Sequence, residues 1–216
     1  MEWLLPFVLC CLAGYVCGAT PFGYFAGRLR GVDIREHGSG NLGATNVIRV
    51  LGKGIGIPVF ILDVIKGWLP AWLAGGWFAA HGASAELTTG AAIASGVAAV
   101  LGHNYTFWLA GKGGKGIATS CGALLGTAPL ALGVGVLVWI ITVKLTRYVS
   151  VASIAAAFAI PSAMAVIMAR SGQWNAILLG FGIALGALAI WRHKANIQRL
   201  MAGTENKVGA KKPSAS

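Results

Sequence analysis

The sequence predicts an all-α, polytopic integral membrane protein, and three observations carry that prediction. Of 216 residues, 56% are hydrophobic and 11% charged, less than half of the about 25% charged in globular chains. Apolar runs that could cross roughly 30 Å of hydrocarbon recur from one end to the other. Lys and Arg outnumber Asp and Glu by 17 to 6 and gather in the loops, the positive-inside pattern of membrane proteins. In a soluble domain a net charge of +11 would point to nucleic acid. Here it belongs to the loops, and no nucleic-acid partner is expected.

The elements follow in order. Hydropathy marks five plain spans, 3–26, 55–80, 87–109, 149–169 and 174–191. The N-terminus lacks the basic start of a signal peptide, so the first run is expected to remain as a span. Arg28, Arg30, Arg35, Arg49 and Lys53 fill the next loop and place it on the cytoplasmic side. The loop from His81 to Glu86 has no Lys or Arg and is expected outside, whereas Lys112 and Lys115 return the chain inside. The stretch 117–143 is also apolar. One crossing there would put Lys144, Arg147 and six basic residues of the C-terminal segment outside. Two short or re-entrant helices turning near Thr127-Ala128-Pro129 would avoid this. The expectation is then about seven helical segments, N-terminus out and C-terminus in, with only Arg170 of the 17 basic residues outside. Residues 1–202 read as one transmembrane domain, and 203–216 as a disordered cytoplasmic tail.

Small residues supply helix-packing surfaces, with GxxxG pairs at Gly14/Gly18, Gly122/Gly126 and Gly182/Gly186. Cys10, Cys11, Cys17 and Cys121 lie in apolar runs with no CxxC or Cys/His zinc spacing. Neither a metal nor a disulfide framework is expected.

With this topology the polar residues in and beside the membrane collect at the cytoplasmic face. Gly38-Ser39-Gly40-Asn41-Leu42-Gly43-Ala44-Thr45-Asn46 followed by Arg49 combines a glycine-rich turn with hydroxyl and amide donors and a guanidinium fork. Such a combination suits phosphate. Residues 38–43 also spell GxGxxG, with Asp63 20 residues beyond Gly43. The preceding Gly31–Glu36 is no buried strand and Asp63 lies in a membrane helix, so a dinucleotide fold is excluded. Asp63 and Lys66 share one helix face at i, i+3, as a structural or catalytic pair. Gly102-His103 precedes Gly111-Lys112-Gly113-Gly114-Lys115-Gly116, which lacks the P-loop spacing yet can cradle phosphate before a helix. His103 either pins a helix end or takes part in chemistry. Ser150 and Ser153 follow Arg147-Tyr148, where capping would explain one serine. His193, Asn196 and Arg199 share a face at steps of three. His193 there is either a base or a group that orients substrate.

Anion-binding groups at one membrane depth beside an apolar bundle suit a substrate with a phosphate head and a lipid tail. A transporter of phosphorylated or anionic metabolites is the alternative, although no internal repeat is visible. Over nearly its full length the chain resembles the bacterial membrane acyl-phosphate:glycerol-3-phosphate acyltransferases. The resemblance rests on Gly38–Arg49, on Asp63-Lys66-Gly67, and on Gly102-His103 with Lys112–Gly116. Arg147-Tyr148 with Ser150 and Ser153, and Arg192-His193 with Asn196, complete it. At Gly18-Ala19-Thr20-Pro21 the chain departs from the family, where a serine would be expected.

The resemblance implies acyl transfer from acyl phosphate to the 1-hydroxyl of glycerol 3-phosphate, giving lysophosphatidic acid and phosphate, the first step of phospholipid synthesis. It implies His193, Asn196, Ser153 and Lys115 as catalytic residues. Ser39, Gly40, Asn41, Thr45, Asn46, Arg49, Lys112, Gly113 and Gly114 would bind substrate phosphate, supported by Asp63, Lys66, His103 and Ser150. No cofactor or metal is expected. The setting would be the bacterial cytoplasmic membrane, with an upstream acyl-phosphate-forming enzyme as a partner.

Overall fold

The computed structural model describes residues 2–209. Among them are ten α-helices, two 3-10 turns and no strand. The helices are α1 (Leu4–Ala19), α2 (Phe22–Arg28), α3 (Ala44–Leu51), α4 (Lys53–Ala80), α5 (Ala85–Asn104), α6 (Ile117–Thr127), α7 (Pro129–Thr146), α8 (Val149–Ser171), α9 (Ala176–Arg192) and α10 (Lys194–Met201). Five segments are long and apolar enough to cross a bilayer: Leu4–Arg28, Lys53–Ala80, Ala85–Leu109, Pro129–Thr146 and Val149–Ser171. The pair α9 and α10, bent by 52° at His193, makes a sixth. Helix α6 is apolar but has only 11 residues. An all-helical membrane protein with about seven apolar segments is therefore what the chain forms.

Three boundaries differ from the expected ones, each for a local reason. The first span breaks after α1 because Pro21 pushes Thr20 out of the helical region, to ψ 113. The expected short pair over 117–143 is unequal. Pro129 starts α7, whose 18 residues run on through the polar Lys144 to Thr146 and suffice for a crossing. The last span continues past its expected end at 191 into α10.

The chain divides into two compact units, with the break between Pro129 and Leu130. In the first, α1 packs on α5, and α4 packs on α5 and α6. A Cβ at Gly14 or Gly18 would overlap the backbone of Ser95 or Ala99, and one at Gly122 would overlap the Val64 carbonyl. Such contacts need small residues, and close backbone approach replaces the hydrophobic driving force that lipid does not provide. Ile34, Leu42, Val47 and Val59 form a small buried core that seats the α2–α3 connection on α3 and α4.

In the second unit α8 packs on α9. Gly182 faces Met164 and Gly186 the Ala157 carbonyl. Residues 210–216, with Lys211 and Lys212, lie outside the described part. The preceding residues, expected to be a solvated tail, are exposed apart from the half-buried Glu205 but turn back on the unit. Val208 N–H donates to the Arg147 carbonyl at 2.8 Å. The Arg147 guanidinium donates to the Val208 carbonyl at 2.9 and 3.1 Å.

Candidate active site

In the first unit the glycine-rich turn before α3 is organised by one side chain. Asn46 is 1% exposed, and its amide nitrogen donates to the carbonyls of Ile34, His37 and Asn41 at 3.2, 3.0 and 2.9 Å. Its Oδ1 accepts from the Ser39 backbone N–H at 2.8 Å and from Arg49 Nη1 at 3.3 Å. Gly38 and Gly40, at φ of 64° and 68°, supply the left-handed turns that bring Ser39 round to Asn46. Asn46 was expected to bind phosphate. Both ends of its amide are used by the chain itself, so it serves as the frame that ties Ser39 to Arg49. Asn41 does a smaller version of the same, its Oδ1 accepting from Gly43 N–H at 2.8 Å. Ser39, Gly40 and Thr45 are exposed on this frame, and Arg49 is half-buried.

The second glycine-rich loop folds onto the end of α5. The N–H groups of Gly111, Lys112, Gly113 and Gly114 donate to the carbonyls of Thr106, Leu109, Asn104 and His103, at 2.9 to 3.1 Å. The backbone donors of Gly113 and Gly114, expected at phosphate, thus close the helix end instead. Helix ends leave carbonyls to be satisfied, and this loop satisfies them. Lys112 is exposed and Lys115 is half-buried, just ahead of α6. An anion beside Lys115 would also meet the positive end of that helix.

Beneath this loop lies a buried charge cluster. Lys66 Nζ is 2.8 Å from Asp63 Oδ1, and both residues are at most 3% exposed. The ammonium also donates to the Thr20 carbonyl at 2.7 Å and lies 5.4 Å from the centre of the Phe22 ring. His103 Nδ1 is 3.7 Å from the same Asp63 oxygen. A small pocket, with Pro21, Phe22 and Leu42 as well as Asp63, Lys66, His103 and Gly114 in its lining, opens beside the cluster. The buried Thr106, which belongs to no motif, donates from its hydroxyl to the Ala19 carbonyl at 2.5 Å. The broken end of α1 is thus held by Thr106 and Lys66 together. Lys66 supplies a cation at the negative helix terminus.

In the second unit, Ser150 and Ser153 are buried on α8 and neither caps it, since Tyr148 stands at the cap position. Trp139 Nε1 donates to Ser153 Oγ at 3.3 Å. His193 sits at the bend between α9 and α10 and is 4% exposed. Its Nδ1 is 2.7 Å from the Ala189 carbonyl. A carbonyl can only accept, so Nδ1 carries a proton, and in the neutral ring Nε2 is the basic nitrogen.

Asn196 Nδ2 and Arg199 Nε both donate to Glu205, at 2.6 and 2.7 Å. Burial pushes the Glu205 carboxyl up, but the bonds from Asn196 and Arg199 outweigh it and hold it below the ordinary glutamate value of 4.5. Glu205 was missed in the sequence because it stands alone in a polar stretch. Its only sequence signal is a carboxylate nine residues after an asparagine and six after an arginine.

The two units hold, separately, the expected residues of the first and second halves. The family described as glycerol-3-phosphate acyltransferase matches residues 8–203. A glycerol-3-phosphate acyltransferase of Gloeobacter violaceus is 44% identical, over 97% of this chain and 98% of its own length. One from Desulforamulus reducens is 41% identical over 95% and 96%. Two solved structures share the fold. Both are of PlsY, described as an integral membrane glycerol 3-phosphate acyltransferase. Its glycerol 3-phosphate form has a TM-score of 0.82 and 38% identity, over 94% of this chain and 96% of that one. Its lysophosphatidic acid form has a TM-score of 0.79 and 37% identity, over 94% and 95%.

Proposed function

The chain belongs to the glycerol-3-phosphate acyltransferase family, and from that premise we propose that it draws the acyl group from acyl phosphate. The glycerol 1-hydroxyl attacks the acyl carbonyl, the new ester bond forms, and inorganic phosphate leaves. The hydroxyl proton passes to a base or to a phosphate oxygen. The product is lysophosphatidic acid. The observation that carries acyl transfer to glycerol 3-phosphate is the shared fold with PlsY structures described in glycerol 3-phosphate and lysophosphatidic acid forms; the donor is taken from the motif resemblance.

Arg49, anchored by Asn46 beside Ser39, offers the fork that suits a phosphate. Lys115 ahead of α6 offers a second cation. In this proposal Ser39, Thr45, Arg49 and Lys115 hold substrate phosphate. Asn46, Asn41, Gly113 and Gly114 shape the loops that carry them. In the second unit His193 orients the attacking alcohol, and Asn196 and Ser153 are the further residues assigned to the transfer. An acyl phosphate has a good leaving group, so transfer rests mainly on positioning and on charge stabilisation.

The protein works in the bacterial cytoplasmic membrane with its active site toward the cytoplasm, downstream of an enzyme that forms acyl phosphate. The run of basic residues in the α2–α3 and α5–α6 connections supports that side. Family membership sets the transporter reading aside. Purified protein in detergent, given long-chain acyl phosphate and glycerol 3-phosphate, is expected to release lysophosphatidic acid and phosphate in equal amounts. Equal turnover with acyl-CoA in place of acyl phosphate would overturn the donor assignment.

A further inference from the structure

The buried Asp63–Lys66–His103 cluster touches no part of the chemistry proposed above, yet it is costly. Taking charges out of water is repaid only by good partners. Ionisable groups within a span are functional by default. Its placement says what it does. His103 meets Gly114 twice: its carbonyl accepts the Gly114 N–H at 3.1 Å, and its ring edge lies against the same residue. A Cβ on Gly114 would overlap His103 Nε2. Asp63 stands on the other edge of the ring, 3.7 Å from Nδ1, and is itself fixed by Lys66 at 2.8 Å. Lys66 in turn is held by the Thr20 carbonyl. A rigid chain of contacts therefore runs from the end of α1, through α4, to the imidazole on which Gly114 rests. Lys115 is the next residue.

We infer that His103 is a positioning residue, braced by Asp63 and Lys66, that sets the height of the Gly113-Gly114 turn and with it the place of Lys115. Lys66 already balances Asp63, so the ring need not be charged to be held. The aspartate favours the proton on Nδ1 and leaves Nε2 facing the turn. Only glycine fits there because the ring occupies the space a side chain would need.

This inference rests on the reading that Lys115 holds substrate phosphate. The test is a double-mutant cycle on purified protein, with kcat and KM for glycerol 3-phosphate measured for wild type, His103→Ala, Gly114→Ala and the pair. Each single change is expected to raise KM on the order of tenfold with kcat within about threefold. In the His103→Ala background the added methyl finds room, so Gly114→Ala is expected to add less than about twofold.

Multiplying effects in the pair would overturn the inference. So would losses in kcat alone at unchanged KM, which is what a purely structural role gives through the amount of active protein. If His103→Ala does not yield folded protein, His103→Asn takes its place in the same cycle and is read by the same criterion. Failure of the function reading is separate: wild type itself would then show no transfer from acyl phosphate.

Discussion

His193 holds its imidazole by Nδ1 to the Ala189 carbonyl at 2.7 Å, and that single contact sharpens the question of its role. With Nδ1 donating, Nε2 can accept the proton of an attacking hydroxyl or simply bind the hydroxyl in place. Glutamine keeps a hydrogen-bonding amide but has no basic nitrogen. His193→Gln is expected to keep turnover within about tenfold of wild type at saturating glycerol 3-phosphate, with a raised KM. Loss of more than ~10²-fold in kcat at unchanged KM would instead mark His193 as the general base. The residue types at such points were legible in the sequence. What each one touches was not. Asn46 reads as a donor for phosphate until three carbonyls are found around its amide nitrogen. Ser153 reads as a cap or a catalytic hydroxyl, and only the structure shows that one of its lone pairs is taken by Trp139. Partners distant in sequence and chosen by packing leave no local pattern.

Helix pairs in this protein are set by backbone contact at glycines. The three GxxxG pairs were readable as packing surfaces, and each faces a neighbouring helix. Their partners were not readable, because α1 meets α5 and α4 meets α6 across long stretches of chain. Gly122→Ala would drive a methyl into the Val64 carbonyl. It is expected to cost about 1–3 kcal/mol and to lower the thermal midpoint in detergent. Gly133→Ala on α7, with nothing within 4 Å of the added carbon, is the control and should change little.

The segment after α10 gives a pH dependence of known sign. Glu205 is held below its ordinary value in the fold, so its stabilising effect is present above pH ~4.5 and is lost as pH falls through the lowered folded value. The thermal midpoint of wild type should exceed that of Glu205→Gln at pH 7, and the gap should close on acidification below 4.5. A gap that widens on acidification would show that the carboxylate is not what Asn196 and Arg199 bind.

Across the whole chain, sidedness follows from charge. The helices fix where crossings can occur, and the loops decide their direction. If the chain starts outside, Leu4–Arg28 would bring Arg28, Arg30, Arg35, Arg49 and Lys53 inside, and the next two spans would return Lys112 and Lys115 to the same side. The remaining question is Thr146. Helix α7 is long enough to cross, and if α6 did not carry the chain outward first, Lys144 and Arg147 would lie outside and every later loop would be inverted. With 11 residues α6 reaches about 16 Å, roughly half of the hydrocarbon thickness. Local thinning of the bilayer or burial of its end in protein must make up the rest. The alternative places Arg192, Lys194, Arg199 and Lys207 outside, against the strongest rule for membrane orientation. Single cysteines in a background lacking Cys10, Cys11, Cys17 and Cys121 decide between them. An impermeant maleimide added to intact cells is expected to label Ser84→Cys and to spare Thr146→Cys and Asn206→Cys until the cells are opened. Labelling at 146 and 206 from outside would mean that α6 does not carry the chain across, and that the C-terminal half is inverted relative to the scheme proposed.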